Sequence, residues 1–269
     1  MHKIAPKKKF GQNFLTDQSV IERIVSSAGQ LENKSILEIG GGSGNLTKHL
    51  LNAKPKDLIV IEIDKDYVGI LGEILQSSSV KTTLISEDIL KTDIYSYFSE
   101  PPVIFGNLPY NVSTKILEKL LASSNYINKW EKLFLMFQLE VANRIVAKPN
   151  TKQYGRLSLF SQFYSFPSLE FQISKTSFFP IPKVESALVK FQRNCKYYHN
   201  HNSALFSDII KKSFQGRRKM IKNTLKTSYK NIIELMAISN IPETSRPENI
   251  TLQQFCHLTD AIDKSKGSI

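Results

Sequence analysis

A short apolar stretch at 35–39 runs directly into Gly40-Gly41-Gly42-Ser43-Gly44, and the residues behind it, 45–51, carry their apolar side chains at helical spacing. No other feature restricts the fold of this chain so tightly. Parallel neighbours need a crossover connection, so a strand feeding a glycine loop and then a helix reads as the opening of a βαβ unit. The pattern repeats downstream, with strands predicted at 58–63, 80–86, 102–106 and 132–138 and helices at 65–75 and 114–122. The first four strands begin 22 or 23 residues apart. That spacing predicts an α/β fold, a Rossmann-like parallel sheet with helices on both faces. Residues 157–166 and 184–192 are predicted as further strands, a terminal antiparallel pair. Ahead of the sheet, Asp17 is a good N-cap for a helix that stops at Gly29, with Val20, Ile21, Ile24, Val25 and Ala28 on one face.

Beyond Arg193 the character changes. Residues 195–202 are polar and turn-rich, and the remainder of the chain shows only helical patterns, with Leu205, Phe206, Ile209, Ile210 and Phe214 forming one apolar face. Two domains are therefore predicted, 1–195 with the sheet and 196–269 as a small all-helical domain. Cys195 and Cys256 are the only cysteines and form no CxxC pair, so ordinary thiols in a reducing compartment and no bound metal are expected. No apolar run is long enough to span a bilayer, and none near the start resembles a secretory signal. A soluble cytoplasmic protein is expected.

The glycine loop points to a ligand. Gly40, Gly42 and Gly44 give G-x-G-x-G, where missing Cβ atoms let a ligand lie against the backbone. Alone, such a loop serves a dinucleotide or is simply a tight turn. Glu62 ends the next strand, 22 residues beyond Gly40, where a doubly wound sheet places a carboxylate to accept both hydroxyls of a ribose. Asp88 stands at the tip of the strand after that, placed to accept from an adenine amine. Together they indicate an adenosine-bearing cofactor, a requirement that NAD satisfies equally well.

The strand at 102–106 decides between them, because it ends in Asn107-Leu108-Pro109-Tyr110. The (Asn/Asp/Ser)-x-Pro-(Tyr/Phe) tetrad is that of methyltransferases acting on planar amino nitrogens, which use S-adenosylmethionine. Adenine's N6 lone pair is delocalised into its ring and is a poor nucleophile. Two acceptors aimed at its protons, the Asn107 side-chain oxygen and the Leu108 carbonyl, localise that pair toward a sulfonium methyl. Pro109 holds Leu108 extended and adds no competing N–H. Tyr110 offers a ring on which the base stacks.

At these residues the chain resembles the bacterial small-subunit (16S) rRNA adenine N6-dimethyltransferase family. The resemblance runs nearly end to end. It includes Lys9-Phe10-Gly11-Gln12-Asn13-Phe14-Leu15, Leu37-Glu38-Ile39-Gly40, Gly106 through Asn111, Tyr154-Gly155-Arg156-Leu157-Ser158, Pro182-Lys183-Val184 with Ser186-Ala187, and Arg246-Pro247-Glu248-Asn249-Ile250. It implies transfer of two methyl groups onto each of two adjacent adenosines, in a hairpin loop near the 3′ end of small-subunit rRNA within an immature 30S subunit, by a monomer. It implies cofactor contacts at Asn13, Leu15, Gly40, Gly42, Glu62, Asp88 and Asn107, and a second wall of the base slot at Phe178, opposite Tyr110. Two positions depart from the family. Gly41 stands where proline is usual, which predicts a looser loop, and Leu139 replaces a common lysine.

The charge supports a polyanionic partner. Lys and Arg number 36 against 24 Asp and Glu, a formal net charge of +12. Between 211 and 230 lie Lys211, Lys212, Arg217, Arg218, Lys219, Lys222, Lys226 and Lys230 with no acid, and the first six are the expected RNA contacts. Lys7-Lys8-Lys9 is a candidate second contact. The alternatives are a large-subunit rRNA adenine methyltransferase, a DNA adenine methylase, and a non-catalytic ribosome-assembly or transcription factor on the same fold. The Arg246-Pro247-Glu248-Asn249 segment fits the small-subunit group better, DNA enzymes favour Pro-Pro within the tetrad, and an intact tetrad argues against loss of catalysis.

Overall fold

The computed structural model describes residues 12–122, 129–198 and 200–266, without the side chain of Cys195. Lys7-Lys8-Lys9 and the start of the Lys9–Leu15 motif lie outside the described residues. The chain divides into two compact units, one made of 1–142 with 168–193 and the other of 143–167 with 194–269.

The first unit is built on a seven-stranded sheet. In it β2 (Ser35–Ile39), β3 (Asp57–Ile61), β4 (Lys81–Ile85), β5 (Val103–Asn107) and β6 (Lys132–Gln138) run parallel, with β9 (Ser186–Arg193) antiparallel beside β6 and β7 (Ser165–Ile173) outermost. The order is β4-β3-β2-β5-β6-β9-β7. A separate two-stranded ladder joins β1 (Phe14–Leu15) to β8 (Phe178–Phe179). The helices of this unit are α1 (Gln18–Ser27), α2 (Asn45–Asn52), α3 (Lys65–Gln76) and α4 (Ser113–Ala122), with α5 (Leu139–Ile145) beginning directly after β6.

The central strands β2, β5 and β6 are buried along most of their length because both faces are covered. Ile36, Val60, Phe105 and Phe134 pack with Ile21, Ile24, Leu50, Leu71 and Leu75 of the helices, while Leu37, Ile59, Ile104 and Leu135, on the opposite face, are equally buried. Asp17 caps α1 by accepting from Val20 N at 3.3 Å, as its position ahead of the apolar periodicity predicts.

Register then fixes where the loops emerge. Ile39 is paired with Ile61 on one side and Gly106 on the other, and Ile61 with Ile85. The residues after these strands therefore leave the sheet at one edge. The strand order reverses between β2 and β5, and the crevice at such a reversal is where open α/β sheets bind ligands.

The second unit is helical: α6 (Arg156–Tyr164), α7 (Cys195–Tyr198), α8 (Ser203–Ser213), α9 (Ile221–Leu225), α10 (Ile232–Ile238) and α11 (Leu252–Lys266). Leu205, Phe206, Ile209 and Ile210 are buried, as the apolar face of that segment predicts. One expectation fails here. Residues 157–166 form α6 for most of their length, not a strand. Their aromatic content imitates a strand, yet Leu159 and Phe163 sit at helical spacing and Gly155 N donates to Ser158 Oγ at 3.1 Å, closing the first turn. The two units divide at 193/194, close to the expected 195/196, and the second also takes in 143–167. Phe163 stacks on Phe206 with ring centroids 4.1 Å apart, and the Tyr154 hydroxyl donates to Ile250 O at 2.9 Å.

That stack makes Phe163, fully buried, a keystone of the helical unit. Phe163→Ala should lower its stability by about 3–5 kcal/mol, read by urea unfolding, through the transfer energy of the removed ring and a residual cavity. An unchanged midpoint would remove Phe163 from the core.

Candidate functional site

The loops at the reversal enclose one cleft in the first unit, holding roughly 1040 Å³ of empty space with its open mouth included. That is ample for a nucleoside-sized ligand. Of the residues expected from sequence, Asn13, Gly40, Gly42, Glu62, Asp88, Asn107, Leu108, Pro109 and Tyr110 all line it. Leu15 and Phe178 do not. They are 4% and 2% exposed, packed in the core, and paired with each other across the β1–β8 ladder. Side chains alternate along a strand, so the opposite face of this ladder carries Phe14 and Phe179, and Phe14 is the one that lines the cleft. The structure thus sets Phe178 beside Leu15 in the core and Phe14 at the cleft.

The segment ahead of α1 lies against the glycine loop and is pinned by side chains from three others. Gln12 Nε2 donates to Asp64 Oδ2 at 2.9 Å, Asn107 Nδ2 to Asn13 O at 2.7 Å, and Asn45 Nδ2 to Leu15 O at 2.8 Å. The Phe14 ring packs on Tyr67 at 4.8 Å and covers Gly42, whose φ is +51° and where a Cβ would come within 2.8 Å of that ring. Only glycine fits there.

The bond to Asn13 orients the Asn107 amide. With its nitrogen engaged, the oxygen is the group left to accept from a ligand. Tyr110 is fixed too, since its hydroxyl and Ser186 Oγ on β9 are 2.6 Å apart. Burial raises the Tyr110 hydroxyl above its ordinary range, so it stays protonated and the ring stays neutral.

The two acids at the strand tips differ in setting. Glu62 is buried, and its two oxygens accept from Gly42 N and Asp64 N, both at 2.8 Å. Burial raises its carboxyl, and those backbone donors pull it back down. Each oxygen keeps a lone pair for a hydroxyl. Asp88 Oδ1 accepts from Leu90 N at 2.9 Å, and the loop it heads is held by Lys119 of α4, whose Nζ donates to Ile89 O and Thr92 O, both at 2.7 Å. Lys119 carries no signal in the sequence, since its partners are backbone carbonyls about 30 residues away. Among the described residues no three His, Cys, Asp or Glu side chains gather as a metal site requires, and no helix is long and apolar enough to cross a membrane.

A family model described as ribosomal RNA adenine dimethylase matches residues 4–264. The chain belongs to that family. Curated relatives include the ribosomal RNA small subunit methyltransferase A of Dinoroseobacter shibae, 36% identical over 97% of this chain and 93% of the relative. The protein of the same description from Ehrlichia chaffeensis is 37% identical over 97% and 98%. Among solved structures, a dimethyladenosine transferase from Plasmodium falciparum superposes with a TM-score of 0.81 at 23% identity, covering 94% of this chain and 98% of that one. The 23S rRNA methyltransferase ErmE gives 0.71 at 22%, covering 93% and 100%. These two likenesses concern the fold, a Rossmann-like methyltransferase sheet followed by helices.

At Gly41, where the resemblance predicts a looser loop, a Cβ would come within 2.6 Å of Val60 Cγ1 and 3.0 Å of Leu71, so the space beside the glycine is filled. Leu139 is half-buried, with its N donating to Glu185 O at 2.9 Å.

In the second unit the basic run is less free than its sequence indicates. Lys212 pairs with Asp208 at 2.6 Å, Arg217 with Glu248 at 2.8 Å and Lys222 with Glu243 at 2.8 Å. These acids lie outside 211–230: Asp208 is one turn earlier on α8, while Glu243 and Glu248 fold back from later in the chain. Lys211, Arg218 and Lys219 are exposed and have no acid partner among the described residues.

Glu38, on β2 just ahead of the glycine loop, is a buried acid to which no sequence pattern assigns a role. It is 1% exposed, its Oε2 has no hydrogen-bond partner, and burial, aided by the charge of Glu62, pushes its carboxyl up to about 7. The Thr47 hydroxyl beside it does not reach hydrogen-bonding geometry. Because the folded value lies above the ordinary 4.5, the unfolded chain ionises first as pH rises. Stability from this group is complete below the ordinary value and is lost on approach to pH 7, a swing of about 3 kcal/mol. Glu38→Gln should therefore lose less stability than the parent protein when unfolding is compared at pH 5 and pH 8. Identical pH dependence in the two proteins would refute the shift.

Proposed function

We propose that this chain transfers methyl groups from S-adenosylmethionine to the N6 amines of two adjacent adenosines in a hairpin loop near the 3′ end of small-subunit (16S) rRNA. It acts as a monomer in the cytoplasm, on an immature 30S subunit. The observation that carries the chemistry is the Asn107 amide, held by Asn13 O so that its oxygen is the acceptor offered to the cleft. Relatives named for the small-subunit reaction support the choice of rRNA.

The donor set fits S-adenosylmethionine. Glu62 accepts from ribose hydroxyls and Asp88 from the adenine amine, while Gly40 and Gly42 admit the ligand against the backbone. When bound, that cofactor supplies an electrophilic methyl group on a positively charged sulfur. Asn107 Oδ1 and the Leu108 carbonyl would accept hydrogen bonds from the two N–H groups of the target amine and localise its lone pair. Pro109 introduces no competing N–H, and the Tyr110 ring stacks on the base with about 1–3 kcal/mol. No strong general base is required, because the methylated amine sheds its proton readily to water. In the second unit, the exposed Lys211, Arg218 and Lys219 contact phosphates, while Lys212, Arg217 and Lys222 reach phosphates only by giving up an ion pair.

The direct test is transfer of labelled methyl to unmethylated small subunits, with large subunits as the comparison. Label on large subunits alone would select the large-subunit reading. Asn107→Ala should reduce kcat by about 10²–10³, the loss seen when a fixed polar group facing developing charge is removed. Wild-type turnover in that variant would eliminate the role given to Asn107. Arg218→Gln with Lys219→Gln should flatten the log–log salt dependence of RNA binding by about 0.7–0.9 for each phosphate no longer neutralised. An unchanged slope places the phosphates elsewhere.

A further inference from the structure

The β1–β8 ladder turns its other face outward beside the cleft. Phe14 lines the cleft, and its register partner is Phe179. Residues directly opposite in an antiparallel pair lie side by side, on one face of the ladder. Phe179 is thus next to a cleft-lining ring, yet it is 62% exposed, and Ile181 and Val184 beyond it are 62% and 43% exposed. An exposed aromatic in this position asks for an occupant.

Charge says which. Lys175 and Lys183, on either side of Phe179 and Ile181, are exposed and have no acid partner among the described residues. The acid of this stretch, Glu185, is engaged by Lys175 N at 2.7 Å. An aromatic face flanked by unpaired cations is the pattern that binds unpaired nucleotides, with bases stacked on the ring and phosphates held by the lysines.

We propose that Phe179 is a stacking platform for the unpaired base adjoining the target adenosine. This rests on the RNA substrate proposed above. With one adenosine drawn into the cleft against Tyr110, its neighbour leaves the loop stack and needs a new apolar face. Phe179 provides it at the rim, while Lys175 and Lys183 hold the intervening backbone. For two adjacent targets, this would let the base not being methylated wait on the ring while the other occupies the cleft.

The test compares the parent protein with Phe179→Ala, Phe179→Leu and Phe179→Trp on unmethylated small subunits. Because Phe179 is exposed, all three variants should keep the parent's unfolding midpoint and its affinity for S-adenosylmethionine. Phe179→Ala should raise KM for the subunit roughly tenfold, the worth of one base stack, with kcat little changed. Phe179→Trp should restore the parent KM, and Phe179→Leu should not, since leucine has bulk but no π-face. The salt slope of binding should stay at the parent value, as every cation that meets a phosphate is still present. A parent-like KM in Phe179→Ala overturns the inference. Full rescue by leucine overturns it as well, marking an apolar protein contact instead. If the parent protein leaves small subunits unmethylated, the functional reading itself fails, which is a distinct result.

Discussion

The parallel pairing of β2 with β3 on one side and β5 on the other is the constraint that creates the cleft. Each of those ladders sets Ile39 level with a partner, Ile61 or Gly106, so the residues after them emerge together. A one-residue slip in either ladder would turn every side chain of a strand to its other face and move its tip by one position. Glu62, Gly42 and Asn107 would then no longer share a cavity. Burial on both faces holds the register, because a slipped strand would have to repack both of them at once.

On that platform the segment at 12–15 acts as a fourth wall. It is held by Asp64, Asn107 and Asn45, which stand at the N-cap of α3, the end of β5 and the start of α2. These bonds tie the orientation of the Asn107 amide to the presence of a segment far away in sequence. The acceptor that faces the ligand is therefore a property of the folded first unit and not of the tetrad alone. Glu38 and Glu62 show the cost of such a site, since both are acids that burial holds above the ordinary carboxylate range. Backbone donors ease this at Glu62, while Glu38 keeps an oxygen without a partner.

The basic segment of the second unit shows electrostatics rearranged by folding. Counted along the chain, 211–230 holds eight cations and no acid, whereas in the fold Glu243 and Glu248 come back to pair with two of them and Asp208 pairs with a third along α8. Partly exposed pairs of this kind contribute little to stability. Their effect is selective, leaving Lys211, Arg218, Lys219, Lys226 and Lys230 as the cations of this run that meet a polyanion without first breaking an ion pair among the described residues.

Local chemistry by itself determined the α/β order of the first unit, the glycine loop, both carboxylates at strand tips and the Asn107–Tyr110 tetrad. Each depends on a few neighbouring residues and on a short period, so each is written in adjacent letters. What tertiary structure decided is whatever depends on residues distant in the chain. The aromatic stretch at 157–166 became a helix because Phe163 found Phe206, and that pairing drew 143–167 into the second unit. The space beside Gly41 is filled by Val60 and Leu71, which come from elsewhere in the chain. Phe178 went inward and Phe179 outward because a two-residue ladder with β1 chose their faces, and no pattern within residues 178–179 records which partner strand they would meet.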